Sequence, residues 1–308
     1  MLLKLAMMNY RKIIKSRDLR IKILSLLDWV PDSFMLRLQY WLQTGRKLNL
    51  KHPKRYTEKL QLYKMKYRNP DMLRCTDKYE VRSYIEEKNL SQYLIPMIGI
   101  YDSVEDINFD SLPRQFVAKT TDGGGGNQVF VCKDKTRLSE QHFIEKLRNW
   151  MNMPKSKQSG REWAYENHYP RRILIEKMIG NGKEDLIDYK FFCFSGKVSC
   201  VYGITDRRVG ESAQIGIYDA DFNKLAVDRC DERHQERGLP KPKNYDNMLV
   251  IAEQLSKEFP HVRVDLYNVD GTIYFGELTF YDGSGYMTFN PDSFDEQLGE
   301  NFDISLFS

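Results

Sequence analysis

Asp270-Gly271 stands between two runs rich in β-branched and aromatic residues, and it is the strongest short-range hairpin signal in the chain. It predicts two antiparallel strands within the stretch Arg263–Gly285. Side chains alternate across a strand, so Arg263 and Asp265 face one way, and Ile273, Phe275, Glu277 and Thr279 share a face of the second strand. The hairpin thus brings an arginine, two carboxylates and a hydroxyl onto neighbouring strands. Two readings fit: a ribbon with a cross-strand ion pair, or oxygen ligands for a hard divalent ion such as Mg²⁺ on nucleotide phosphates.

The other 280-odd residues must decide between them. A chain of 308 residues, 41% hydrophobic and 29% charged, reads as a soluble globular protein of one large domain or two to three lobes. No apolar run approaches the roughly 20 residues that cross a bilayer. Met1-Leu-Leu-Lys4 is followed by Arg11, Lys12 and Lys15 without a small-residue cleavage site, which argues against an export signal. Five cysteines without paired spacing read as free thiols in a cytoplasmic protein.

Charge is unevenly placed. Residues 1–68 hold 17 Lys/Arg against 4 Asp/Glu, a balance of +13, whereas residues 69–308 hold 30 against 39, a balance of −9. Such a segment suits either an anionic partner, such as a membrane surface touched through residues 1–50, or an acidic body on which it packs. Trp41, Tyr40 and Tyr56 form no stacking module, so no nucleic-acid partner is expected.

Apolar residues at helical spacing among basic ones, from Leu2 to Leu27, predict helix in the first segment. Ser33 is the expected cap of a helix carrying Phe34, Leu36, Leu38 and Trp41, and Thr57-Glu58 opens another. Further on, helices are expected over 81–88, 139–151 and 246–259. Strands are expected over 115–121, 128–132, 172–179, 189–194, 198–204 and 214–218. The mixture is α+β, without the βαβα alternation of a doubly wound sheet.

Two more segments carry chemistry. Lys119 lies on a strand that runs into Gly123-Gly124-Gly125-Gly126, where backbone amides can approach an anion unobstructed and the loop can move as a flap. No Gly-Lys-Ser/Thr ends it, so it is not a P-loop. Glu176-Lys177-Met178-Ile179 followed by Gly180-Asn181-Gly182 reads as a hinge or as a buried strand with one exposed ion pair. Asp188 and Lys190 share a face of the next strand; Lys190 either reaches phosphates or pairs with Asp188.

In this order, and with Pro53–Leu60, Asp77-Lys78-Tyr79-Glu80-Val81-Arg82, Leu112–Lys119 and Arg161–Glu166, the segments resemble the ATP-grasp superfamily, and within it the TupA-like branch. That branch is associated with teichuronopeptide and other bacterial surface-polysaccharide biosynthesis. The resemblance implies an ATP-grasp fold divided into a basic helical segment (1–70), an N-lobe with the flap (71–175) and a C-lobe with the hairpin (176–308). It implies that Lys78 and Lys119 contact ATP phosphates, that Gly123 to Gly126 cover them, and that Glu176 to Ile179 hold adenine, with Asp188 near the ribose. It further implies that Asp265 and Glu277 bind Mg²⁺ and that Arg263 serves the transferred phosphate. Thr279 departs from the asparagine common at that position, and the helical first 70 residues depart from the usual α/β substrate domain.

The implied activity is an ADP-forming ligase joining an amine to a carboxylate of a glycan or its precursor. Two rivals remain open. Asp219-Ala220-Asp221 has the spacing of a glycosyltransferase metal motif, although its context reads as a strand ending in a turn. The basic segment alone would suit a non-enzymatic binder of anionic surfaces. The five histidines lack metal-ligand spacing and read as structural.

Overall fold

The computed structural model describes residues 26–27, 29–124, 128–153, 160–166, 169–180, 186–206 and 213–307. The helical repeat expected before Leu26, together with Gly125, Gly126, Asn181, Gly182 and His168, lies outside the described residues. Helix α1 (Asp32–Thr44) starts directly after Pro31, whose fixed φ suits a helix entry. Ser33 therefore lies inside the first turn, and the expected serine cap is not formed. Gly45 ends α1 in the left-handed region (φ 72°), its amide donating to the Trp41 carbonyl at 2.8 Å. Helix α2 (Tyr56–Lys66) opens where expected: the Glu58 carboxylate accepts the amides of Asn49, Lys54 and Arg55 at 3.0–3.2 Å.

After the short helices α3 (Asp71–Thr76) and α4 (Val81–Glu87) come β1 (Met97–Tyr101), β2 (Phe116–Thr120), β3 (Val129–Cys132), α5 (Glu140–Met151) and β4 (Ile173–Lys177). The four strands form one antiparallel sheet in the order β1-β4-β2-β3. Strand β4 runs unbroken through residues 175 and 176, where the sequence placed a lobe boundary. Phe116 and Ala118 on β2 pack with Phe143, Leu147 and Trp150 of α5 in this sheet's core. Pleat alternation then leaves Val117 and Lys119 on the opposite, half-buried face, as expected.

The second sheet is built from β5 (Asp188–Phe194), β6 (Lys197–Thr205), β7 (Gln214–Asp219), β9 (Arg233–His234), β10 (His261–Val269) and β11 (Thr272–Thr279), in the order β11-β10-β5-β6-β7-β9. Its two faces are covered differently. Phe191 and Cys193 meet helix α6 (Tyr245–Ser256), while Phe192 and Phe194 on the other face meet Tyr56 of α2. Helix α7 (Ser293–Asn301), preceded by the paired short strands β8 (Asp228–Arg229) and β12 (Phe289–Asn290), holds α2 there: buried Asp295 accepts both the Thr57 amide (3.0 Å) and its hydroxyl (2.7 Å). Helix α2 is thus part of the body. Tyr56 and His261 make the buried polar join. The Cys193 carbonyl can only accept, so His261 Nδ1 carries the proton and Nε2 accepts from the Tyr56 hydroxyl at 2.9 Å.

Asp270 (φ 52°) and Gly271 (φ 95°) both take the left-handed conformations that the hairpin turn requires. The register pairs Arg263 with Thr279 and Asp265 with Glu277, then slips, so that Leu266 pairs with Phe275 and Gly276 is the extra residue of a bulge. Paired residues share a face, so Glu277 and Thr279 lie on the Arg263–Asp265 face while Ile273 and Phe275 turn to the other. The expectation that all four residues of β11 share one face is thereby corrected. Among the described residues no helix is long and apolar enough to cross a membrane.

Candidate active site

A cleft between the two sheets is lined by Lys78, Val81, Arg82, Leu94, Ile95, Lys119 and Glu176 on one wall, and by Phe275 and Gly276 at the hairpin bulge on the other. On the first wall, β2 lies beside β4 and sets Val117 opposite Glu176. Lys119 reaches across to Glu176, with Nζ 2.6 Å from Oε2. The backbone of Lys78 donates to the Thr121 carbonyl at 2.9 Å, and its ammonium donates to the Gly123 carbonyl, at the root of the glycine run. Burial lowers the Lys78 pKa; Lys119 adds to that effect and Glu277 opposes it. The two lysines, the described part of the glycine run and Glu277 therefore share one electrostatic neighbourhood. At the expected hinge, the Lys177 amide already donates to the Pro96 carbonyl at 2.9 Å within the sheet. The Lys177 amide is therefore not free for a base, whereas Met178 lies beyond the end of β4.

Next to Gly276, the face of the hairpin that carries Glu277 holds a dense ionic lattice. Asp265 pairs with Lys190 across the β10–β5 ladder, and Nζ lies 2.6 Å from Oδ2. Arg263 grips Asp265 through Nε and Nη2, both at 2.7 Å, and its Nη2 also donates to Thr279 Oγ1 at 3.0 Å and Glu277 Oε1 at 3.3 Å. Its Nη1 bonds to Asp282, whose other oxygen lies 3.2 Å from Arg229. Asp188 lies 3.8 Å from Lys190 on the same face. Burial would raise the Asp265 carboxyl, but Arg263 and Lys190 overcome it and hold it down at about 2. Burial works against the Arg263 charge too, yet Asp265 and Asp282 outweigh it and push its pKa well above the ordinary value.

The hard oxygens of this lattice suit Mg²⁺ chemically, but they differ in readiness. Both oxygens of Asp265 and the hydroxyl of Thr279 already accept from Arg263 or Lys190. Glu277 is less enclosed, and its Oε2 has no hydrogen-bond partner among the described residues. Among those residues no group of three or more His, Cys, Asp or Glu is placed to hold a metal alone. The fit is to an ion that arrives on phosphates and needs one or two carboxylates, which is the usual habit of Mg²⁺.

Below the hairpin, the loop Asp282–Gly285 is held from α2. Gln61 donates to the carbonyls of Ser284 and Gly285, each at 3.0 Å, and the buried Lys64 ammonium donates to Ser284 at 2.7 Å. The Ser284 hydroxyl donates in turn to Glu162 at 2.5 Å. Sequence reasoning gave no role to Arg82, Asp282, Arg229, Gln61 or Lys64. For Arg82 a signal was present, since it lies in the Asp77–Arg82 segment that already carries Lys78.

Asp219 accepts the amides of Asp221 (3.0 Å) and Asn223 (2.8 Å) and the Asn223 side chain, so its carboxylate closes its own turn. Cys75, Cys132, Cys193 and Cys200 are buried free thiols, and Cys230 is exposed.

The TupA-like ATP-grasp family model matches residues 58–303. No curated protein matches the chain. Among solved structures, the chain is similar to D-alanine–D-alanine ligase from Bacillus anthracis at 19% identity and a TM-score of 0.40, over 68% of this chain and 59% of that one. It is also similar to D-alanine–D-alanine ligase from Helicobacter pylori (13%, TM-score 0.41, 80% and 69%) and to L-amino acid ligase from Bacillus licheniformis (14%, TM-score 0.41, 68% and 44%). It thus spans less than two thirds of the first and third of these proteins. With the family model running through both walls of the cleft, the chain belongs to the TupA-like ATP-grasp family and has the ATP-grasp fold.

Proposed function

We propose that this protein is a cytoplasmic ATP-dependent carboxylate–amine ligase, acting on a carboxylate, such as a uronic acid, of a bacterial surface polysaccharide or its precursor. The observation that carries the reading is the cleft itself, with two lysines at the root of a glycine run on one side, Phe275 and Gly276 of the hairpin on the other, and Glu277 near enough to act on the Lys78 charge. Family membership supports the ATP chemistry. The glycan rests on the association of the TupA-like branch alone.

On this reading Lys78 and Lys119 draw the triphosphate into the cleft, and Glu277, with Asp265 behind it, holds Mg²⁺ that comes with the nucleotide. The bound ion neutralises phosphate charge. A substrate carboxylate oxygen attacks the γ-phosphorus as its bond to ADP breaks. An amine nitrogen then attacks the acyl carbon and loses a proton, and phosphate leaves. Arg263 would turn to the transferred phosphoryl group by giving up Glu277 and Thr279, its two longest contacts. The glycine run, as a flap, would keep water from the acyl phosphate.

The test is ADP release screened over uronic-acid glycans and amino compounds. Release should require both co-substrates and should vanish in Glu277→Gln. Loss of activity in Asp219→Ala with Asp265→Ala fully active would instead favour the nucleotide-sugar reading, against which the self-capped Asp219 turn speaks.

We also propose that residues 1–50 meet an anionic membrane surface. Supporting this are the +13 balance of residues 1–68 and the exposure of Trp29 (81%), Phe34 (60%), Leu38 and Trp41, the last three at helical spacing on the outer face of α1. Phosphatidylglycerol vesicles should sediment the protein, and Phe34→Ser with Trp41→Ser should weaken that binding at unchanged ionic strength. Equal recovery with neutral vesicles would overturn it.

A further inference from the structure

Among the described residues Glu176 is the only carboxylate lining the cleft, and three cations line it too: Lys78, Arg82 and Lys119. It stands on β4, at 5% exposure, inside the four-stranded sheet. Its two oxygens are treated unequally. Oε2 takes Lys119 at 2.6 Å, a short charge-assisted bond, whereas Oε1 lies 3.5 Å from Arg82 Nη1, which donates instead to the Ile95 carbonyl at 3.1 Å. Arg82 comes from α4 and Lys119 from β2, so one buried carboxylate is shared by cations on two independent elements.

Drawing Lys119 onto a phosphate removes the close partner of Glu176. A buried carboxylate stripped of its partner is strongly unfavourable, and beside a triphosphate it would also repel the ligand. A guanidinium has further N–H groups to close on Oε1 without releasing Ile95. We propose that Arg82 is a positioning residue that takes over the charge of Glu176 when Lys119 turns to the nucleotide, so that phosphate binding proceeds by exchange of counter-ions. This rests on the reading of the cleft as the nucleotide site.

The experiment is calorimetric titration of Mg·ATP and, separately, adenosine into the wild type, Lys119→Met, Arg82→Met, Arg82→Lys, Glu176→Gln and the double variant Arg82→Met/Glu176→Gln. Lys119→Met should weaken ATP at least about tenfold. Arg82→Met should do the same, with adenosine changed less than about threefold. The double variant should bind ATP within about threefold of Glu176→Gln, because the charge that needed Arg82 has gone. Arg82→Lys should fall between the wild type and Arg82→Met. A loss that persists undiminished in the double variant, or that affects adenosine as strongly as ATP, would make Arg82 a structural residue and overturn the exchange. Unchanged ATP affinity in Lys119→Met would overturn the nucleotide reading beneath it.

Discussion

Asp265→Asn isolates the centre of the ionic lattice with almost no change of shape. The Asp265 carboxyl is fully buried and held at about 2, against an ordinary 3.8, because Arg263 and Lys190 outweigh the burial that would raise it. A depression of nearly two units makes the ionised group worth about 2–3 kcal/mol to the fold at neutral pH. The asparagine loses that term. It also turns an N–H group toward two cations that are themselves donors, so the total should reach about 3–5 kcal/mol. The sign follows from the lowered pKa: the contribution is complete above the unfolded value near 4 and is lost as pH falls through the folded value near 2. Urea unfolding of both proteins at pH 7, 5 and 3 reads this directly. The wild type should exceed the variant by the same amount at pH 7 and 5, and the linkage part should shrink by about half at pH 3. A difference below 1 kcal/mol at pH 7, or one that does not shrink on acidification, would refute a paired, buried Asp265.

His261 titrates in a separate window. Burial lowers its pKa from 6.5 to about 4, so the stability owed to the neutral ring is present above pH 6.5 and is lost as pH falls toward 4, roughly 3 kcal/mol in all. His261→Asn should be less stable at pH 7 and should flatten the stability curve between those limits, measured by urea unfolding. Gly285→Ala should destabilise by about 1–3 kcal/mol, read as a lowered Tm. Gly285 has a φ of 66°, and an added Cβ would lie 3.1 Å from Leu60 and 3.3 Å from the Thr57 carbonyl.

What could be read from the sequence was whatever depends on near neighbours. Alternation placed Lys119 on the open face of β2, Asp270-Gly271 set the hairpin, and Arg263 and Asp265 meet because two residues along a strand return to the same face. The bulge escaped because it depends on register, although a glycine inside a strand pattern is its usual mark. Partners far apart in the chain were out of reach. Lys119 and Glu176 are joined by adjacent strands, Asp282 and Arg229 by a loop meeting β8, and Lys64 and Ser284 by the docking of α2. The docking of α2 on the body depends on partners equally far apart in the chain. Its basic composition describes its surface, whereas Tyr56, Leu60 and Tyr63 bury themselves in the core of the larger sheet.

These long-range pairs sort the charges of the cleft by sign. The four-stranded wall brings Lys78, Arg82 and Lys119 against Glu176 and keeps a cationic excess. The six-stranded wall brings Asp188, Asp265, Glu277 and Asp282 against Lys190, Arg263 and Arg229 and keeps an anionic one. Each group is stable because most of its charge is cancelled locally, and the remainders lie close enough for Glu277 to act on the Lys78 charge. A triphosphate carrying a divalent ion has the same polarity, anionic toward one side and cationic toward the other, so on the proposed reading it completes both groups at once. That gives Glu277 and Lys119 a common property. Each sits at the margin of its lattice, Glu277 with an oxygen to spare and Lys119 with a partner that Arg82 can take over, and a ligand can therefore recruit both without unpairing Asp265 or Asp282 in the interior.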